Sequence, residues 1–184
     1  MIVGVSDHNG WAVLVTIGSD GAIVDRRRVT LVGEGLPSMP HHHQAQKLPL
    51  PEALELVERV RLSAVRHARL ALDALAGAVP SPIQGIAIRR CQPIPSTVAE
   101  RLENYRAQNV ADTVMYRTAL AGAAEARGWA IHWYDAKKVF EAARQALRIE
   151  DLEAHFRQLR QALGPPWGKD HKMAMAAATV ARKH

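Results

Sequence analysis

The feature that most constrains the fold is the opening of the chain, where two tight turns separate three runs of strand-forming residues. Residues 2–6 and 11–17 are apolar or small and rich in β-branched types, and residues 7–10 between them contain an Asn-Gly pair, which is typical of two-residue hairpins. A second turn at residues 19–21 leads into residues 22–32, where apolar and charged residues alternate. The pattern predicts a three-stranded antiparallel meander.

Helix and strand patterns alternate after the meander. Residues 33–51 hold Gly and Pro without periodicity and predict a long loop that carries three consecutive histidines. Apolar residues then recur at helical spacing from Pro51 to Gly77. Further strands are predicted at 83–88 and 129–134, and further helices from Ser96 to about Arg127, over 136–147, over 149–163 and over 169–183. The order β-β-β-α-β-α-β-α predicts an α/β fold with a mixed five-stranded sheet and helices on both faces.

Composition excludes several classes of protein. A chain of 184 residues with 48% hydrophobic and 23% charged residues predicts one domain over residues 1–184. Its one cysteine, Cys91, excludes an internal disulfide and a four-cysteine zinc site. No apolar run reaches the ~18 residues of a membrane span, and the first residues lack a basic signal-peptide region, which predicts a cytoplasmic protein. The net charge of +6 favours polyanionic partners.

Two short motifs bring in a resemblance to a known family. The segment Gly4–Val13 places an acid at the end of the first strand, and the segment Lys169–Ala178 opens an Ala-rich helix with another acid. Together with the element order, they resemble the ribonuclease H-like superfamily, in particular Holliday-junction resolvases and resolvase-like transposases. The resemblance implies a nucleic-acid-processing endonuclease in which carboxylates hold two divalent cations, Mg²⁺ or Mn²⁺, that stabilise the attacking and leaving oxygens.

The resemblance also implies site residues at three places in the chain. Asp7 matches the acid of the first strand and Asp170 the acid of the last helix, while Glu52 or Glu55 matches an acid near the start of the first helix. We therefore expect Asp7, Asp170 and Glu55 to be catalytic, and Glu52 and His171 to join them as metal ligands. An imidazole ligand would shift the preference of the site toward Mn²⁺, Zn²⁺ or Fe²⁺.

The chain departs from the resolvase pattern at two positions. The acid expected at the end of the fourth strand is replaced by Arg89-Arg90-Cys91, and a second acid in the last helix is replaced by Met173. A cation near the metal site would repel Mg²⁺. The alternative to an endonuclease is therefore a catalytically degenerate module that binds nucleic acid or a protein partner.

Each candidate residue also has a purely structural interpretation. Asp7 suits the turn that follows it, and Asp170 suits the N-terminus of a helix, where an acid accepts from free amides. Glu52 and Glu55 are also what the helix dipole favours in the first turns. Residues 41–43 (His-His-His) are typical of a solvated loop.

Four cations are expected around the two aspartates and are predicted to bind nucleic acid: Arg89, Arg90, Lys169 and Lys172. Since neutralisation of phosphates dominates such binding, the expected partner is nucleic acid, DNA ahead of RNA, with no membrane. The long loop and an exposed sheet edge could each serve a homodimer. A third hypothesis is a phosphotransfer module, because residues 4–24 also resemble the phosphate-binding opening of sugar kinases and actin. Those proteins need two such domains, and this length supplies one.

Overall fold

The structure is a computed structural model that describes residues 1–183. Five strands are present in this range: β1 (Ile2–His8), β2 (Trp11–Ile17), β3 (Ile23–Thr30), β4 (Gly85–Arg89) and β5 (Ala130–Tyr134). They form a sheet in the order β3-β2-β1-β4-β5. The pairs β1–β2 and β2–β3 are antiparallel, and the pairs β1–β4 and β4–β5 are parallel. The predicted mixed α/β sheet is therefore confirmed.

The helices lie where the sequence predicts them, with ends that differ by a few residues. They are α1 (Leu50–Ala78), α2 (Val98–Glu103), α3 (Tyr105–Glu125), α4 (Val139–Leu147), α5 (Leu152–Leu163) and α6 (Lys169–Ala181). The helical stretch after β4, which the sequence predicts as one helix, is broken at Asn104. The N-cap of α2 is Thr97, one residue after the predicted start at Ser96. The Thr97 hydroxyl accepts from the Glu100 amide, and the Glu100 carboxylate accepts from the Thr97 amide.

Two apolar layers cover the two faces of the sheet. On one, called the α3 face here, α1 and α3 pack against Val3, Val5 and Leu14. On the other, called the α6 face, α6 packs with α4 and α5 against Ile2 and Val15. At ~25 cal/mol per Å² of buried apolar surface, these layers are the main favourable contribution to folding.

Helix α6 lies very close to the sheet because small residues meet where the two pack. A Cβ atom added to Gly4 would lie 1.8 Å from the carbonyl oxygen of Ala174, so only glycine fits this position of β1. Ala177 and Ala178 of the same helix are buried as well. Because side chains alternate along a strand, Gly4 also shows that the even-numbered residues of β1 point toward α6.

The long loop between β3 and α1 differs from the predicted solvated segment. A short π-helical turn covers Pro40–Gln44, and a 3₁₀ turn covers Ala45–Lys47. His41 is 1% exposed, because this turn packs against α3. Within residues 1–183, no helix is long and apolar enough to cross a membrane.

Candidate functional site

The carboxyl ends of β1 and β4 form an opening at one edge of the parallel part of the sheet. The two strands pair from Ile2–Gly85 to Gly4–Ala87, and their pairing ends there. The hydroxyl of Tyr134, at the end of β5, donates to the carbonyl of Val5 at 2.7 Å. Burial raises the pKa of Tyr134 to about 12, so its hydroxyl remains a neutral donor. Ligands of open α/β sheets bind at such carboxyl ends, so this opening is the candidate site.

Asp7 lies at this opening and is already paired with arginines. Its side chain is fully buried, and its Oδ2 accepts from Nε of Arg117 at 2.8 Å. Arg117 Nη1 also donates to the carbonyl of Arg90 at 3.1 Å. Arg89 Nε lies 3.9 Å from Asp7 Oδ1, which is longer than a hydrogen bond but close enough for strong attraction. Two guanidinium groups therefore compensate one carboxylate.

Asp170 lies on the other face of the sheet. Its Oδ1 accepts from the hydroxyl of Ser6 at 2.9 Å and lies 2.8 Å from Nε2 of His8. Burial raises the pKa of Asp170, but the hydrogen bonds from His8 and Ser6 outweigh it, so the pKa lies below its usual value. Since Ser6 and His8 point toward the α6 face, Asp7 between them points toward the α3 face.

A basic groove of about 570 Å³ is lined by Arg89 and Arg117, the two arginines next to Asp7. Five of its lining residues carry cationic side chains: Arg89, Arg90, Arg117, Lys137 and Lys138. Its one lining carboxylate, in Asp135, accepts from the backbone amide of Lys137 and so holds the turn after β5. The groove is an anion-binding surface in which cations outnumber acids.

The other two predicted nucleic-acid-binding residues line a different depression. Lys169 and Lys172 lie at the start of α6, in a depression shared with Phe156 and Arg160 of α5. Lys172 Nζ is 2.6 Å from a carboxylate oxygen of Glu153, so Lys172 forms an ion pair within the molecule. The structure therefore places Arg89 and Arg90 together in the basic groove and Lys169 and Lys172 elsewhere.

Comparisons with known proteins give a likeness of fold. No family model matches the sequence, and no curated protein matches it. The chain is similar to the structure of Thermus thermophilus RuvC in complex with a Holliday junction substrate, with a TM-score of 0.53 and 12% identity over 97% of this chain and 90% of that chain. A second Thermus thermophilus RuvC structure matches with a TM-score of 0.50 and 15% identity, covering 99% and 95% of the two chains. The fold is that of RuvC, the ribonuclease H-like fold.

Metal ions are what a ribonuclease H-like site implies, and the residues present here do not fit them. A divalent cation needs oxygen ligands with uncompensated negative charge, and the Asp7 carboxylate is occupied by Arg117 with Arg89 close by. Asp170 faces the opposite side of the sheet and accepts from Ser6 and His8. Because side chains alternate along β1, the two aspartates take part in separate clusters here, and their pairing around Mg²⁺ or Mn²⁺ stays a prediction.

The remaining predicted ligands do not complete a metal site either. Glu52 and Glu55 are exposed near the start of α1. His171 Nδ1 accepts from the amide of Gly168 at 3.3 Å and thus caps α6. Among residues 1–183, no group of three or more His, Cys, Asp or Glu side chains is arranged to hold a metal ion.

Sequence reasoning missed three of the groove's cations. Lys137 and Lys138 follow β5 within three residues. Since β5 lies parallel to β4, the carboxyl ends of these two strands meet at the same edge of the sheet. That placement was a usable signal. Arg117 had a weaker one, because it is the arginine among the buried positions of α3, which are mostly Ala, whereas Arg106 of the same helix is exposed.

Proposed function

We propose that this chain is a ribonuclease H-like module that binds nucleic acid without hydrolysing it. The observation that carries the proposal is the buried Asp7 carboxylate, which Arg117 and Arg89 compensate at the carboxyl end of β1. Hydrolysis by two metals needs several carboxylates to converge on one point, and here the converging groups are guanidinium ions. The endonuclease hypothesis therefore gives way to the degenerate-module hypothesis.

A phosphate backbone is the ligand that the basic groove fits best. Guanidinium groups match phosphate oxygens with two parallel hydrogen bonds, and lysines add charge without fixed geometry. The exposed cations Arg90, Lys137 and Lys138 lie within one groove, and the whole chain carries a net charge of +6. We propose DNA as the partner, with support from the RuvC structure of the same fold that is in complex with a Holliday junction substrate.

Binding is tested by fluorescence anisotropy with a labelled DNA duplex and a labelled four-way junction over a series of salt concentrations. We expect log Kd to rise with log salt concentration. The triple variant Arg90→Gln, Lys137→Gln, Lys138→Gln is expected to bind more weakly. Its salt slope is expected to be smaller by roughly 0.9 for each phosphate that the variant no longer neutralises.

A matched control removes the same charge elsewhere. Arg59, Arg66 and Arg69 are exposed on α1 and do not line the groove. The triple variant Arg59→Gln, Arg66→Gln, Arg69→Gln therefore lowers the net charge equally and is expected to bind DNA nearly as the wild type does. Equal reductions of affinity in both triple variants would mean that net charge alone, and not the groove, drives binding. No DNA binding by the wild type at low salt would exclude the proposal.

Cleavage assays separate the module from the endonuclease. The wild-type protein is incubated with the junction in Mg²⁺ or in Mn²⁺, and no cleavage is expected in either. If cleavage does occur and Asp7→Asn abolishes it, Asp7 is a catalytic carboxylate and the proposed function is wrong. Cleavage that persists in Asp7→Asn indicates a contaminating nuclease, and the proposal stands.

A further inference from the structure

A second depression adjoins the basic groove and lies between β5, α4 and α6. We call it the β5 pocket; its volume is about 470 Å³. Four residues line both the groove and this pocket: Arg90, Tyr134, Asp135 and Lys138. Because the two depressions share these residues, a molecule that lies in the groove lies next to the pocket.

The lining of the β5 pocket is mostly apolar, in contrast with the lining of the groove. Helices α4 and α6 contribute only Val and Ala side chains to it: Val139, Ala142, Ala177, Val180 and Ala181. Ala142 and Val180 are partly exposed, so part of this apolar surface is accessible to a ligand. Small-molecule sites have this composition and a size of roughly 300–1,000 Å³.

Trp133 of β5 adds an accessible aromatic side chain to the lining of the pocket. It is 41% exposed, whereas Trp129 and Trp167 are each 8% exposed and belong to the two apolar layers. Strand β5 is at the edge of the sheet, so no further strand flanks Trp133 within residues 1–183. An indole ring that is accessible in this way offers a face on which another flat ring can stack.

The charges between the groove and the pocket favour a phosphate group. Arg90 and Lys138 are exposed, and no salt bridge in the described part of the chain engages either side chain. The acid beside them, Asp135, accepts from the backbone amide of Lys137 at 2.8 Å. A phosphate bound to Arg90 and Lys138 therefore has its sugar and base next to the β5 pocket.

We propose that the β5 pocket receives an unpaired base of a DNA strand whose phosphates lie in the basic groove, and that this base stacks on Trp133. The inference rests on the proposed function and names its preferred substrate, DNA with single-stranded nucleotides. In a duplex the bases are stacked and paired, so they reach a pocket only when they are extruded. Every base has a π-face, so stacking on Trp133 carries no strong sequence preference.

The test compares two single-stranded oligomers of equal length and charge. One is a thymidine oligonucleotide, and the other is its abasic counterpart, which keeps the deoxyribose phosphates and lacks the bases. Binding of each to the full chain is measured by fluorescence anisotropy over the same series of salt concentrations. We expect the thymidine oligonucleotide to bind at least about fivefold more tightly, because its bases stack. The two salt slopes are expected to be equal, because the two oligomers carry the same phosphates.

Variants of the pocket locate the base. Trp133→Ala removes the ring and is expected to bring the two affinities within about twofold of each other, whereas Trp133→Phe retains most of the preference. The double variant Ala142→Met, Val180→Met fills the pocket without adding a ring and is expected to reduce the preference as well. Tyr105→Ala is the matched control, because Tyr105 is 73% exposed and lines neither depression. Circular dichroism and melting temperature verify that each variant is folded.

The outcomes separate this inference from the proposed function. If the wild type binds both oligomers equally and with the expected salt dependence, the groove binds DNA but the pocket takes no base, and the inference alone is overturned. A folded Trp133→Ala protein that keeps the wild-type preference also overturns it, because the base then stacks elsewhere. If the wild type binds neither oligomer at low salt, the inference and the proposed function are both wrong.

Discussion

Replacement of Arg117 by Met tests the interpretation of the Asp7 site. Arg117 is 8% exposed, its Nε donates to the fully buried Asp7 at 2.8 Å, and its Nη1 donates to the carbonyl of Arg90 at 3.1 Å. Met retains much of the apolar stem but removes both hydrogen bonds and the charge. Asp7 is then left buried, with Arg89 Nε at 3.9 Å as its remaining cation.

The magnitude follows from the burial of the pair. Removal of one partner of a buried ion pair costs about 3–5 kcal/mol, because the other charge stays buried without compensation. Arg89 still attracts Asp7, which places the expected cost at the lower end, about 3 kcal/mol. For a chain of this length each kcal/mol lowers Tm by about 2–4 °C, so Arg117→Met is expected to lower Tm by about 6–12 °C.

The assay is urea unfolding followed by circular dichroism, with two comparison variants. In Asp7→Asn with Arg117→Met, the uncompensated charge is gone, so this double variant is expected to be more stable than Arg117→Met alone. Arg157→Met removes an arginine that is 66% exposed, and its free energy of unfolding is expected to change by less than about 0.5 kcal/mol. If Arg117→Met costs less than about 1 kcal/mol, or if Asp7→Asn brings no recovery, Arg117 does not compensate Asp7 and the reasoning is refuted.

Two further predictions concern the packing of α6 on the sheet. Gly4→Ala is expected to destabilise the protein by about 3 kcal/mol or more, because its Cβ would overlap the Ala174 carbonyl. The comparison variant is Gly122→Ala in α3, where nothing lies within 4 Å of the added Cβ. It is expected to stabilise the protein by about 0.5–1 kcal/mol. Equal effects in urea unfolding would contradict the close approach. Burial and the nearby Arg26 lower the pKa of His171, so the stability that depends on its neutral form is complete above about pH 6.5 and decreases as the pH falls below it. His171→Gln is expected to keep the cap of α6 and to reduce this decrease, as measured by Tm between pH 7.5 and pH 5; an unchanged pH profile would exclude His171 as its source.

Local chemistry made the elements of the fold predictable. Gly10 and Gly21 adopt φ values of +84° and +87°, which glycine reaches at no steric cost, and their turns define the meander. In α1, the apolar residues at helical spacing are the buried ones, from Val57 to Leu75. These signals act within a few residues of one another, so they can be read before the chain is folded.

The positions of the predicted metal ligands in space depend on a tertiary interaction that no local signal carries. Asp7 matched the expected position in the chain, but its direction depends on which face of the sheet α6 covers. That face is marked by Gly4, where the Ala174 carbonyl leaves no room for a side chain. Because side chains alternate along β1, Ser6 forms a hydrogen bond with Asp170 on one face of the sheet, and Asp7 forms one with Arg117 on the other. Because Ser6 and not its neighbour Asp7 faces α6, the two aspartates belong to two separate clusters and not to one shared site.

Turn geometry and hydrophobic periodicity are properties of short segments, so the strands, the helices, their order and hence the mixed sheet follow from the sequence. Which charges meet depends on how these elements pack. The pairs Asp7–Arg117 and His41–Asp112 join residues 110 and 71 positions apart. Both pairs are buried, and burial is what makes a compensating partner necessary. The packing of α3 on the sheet and on the loop brings each pair of partners into contact. The cationic groove therefore forms only in the folded chain.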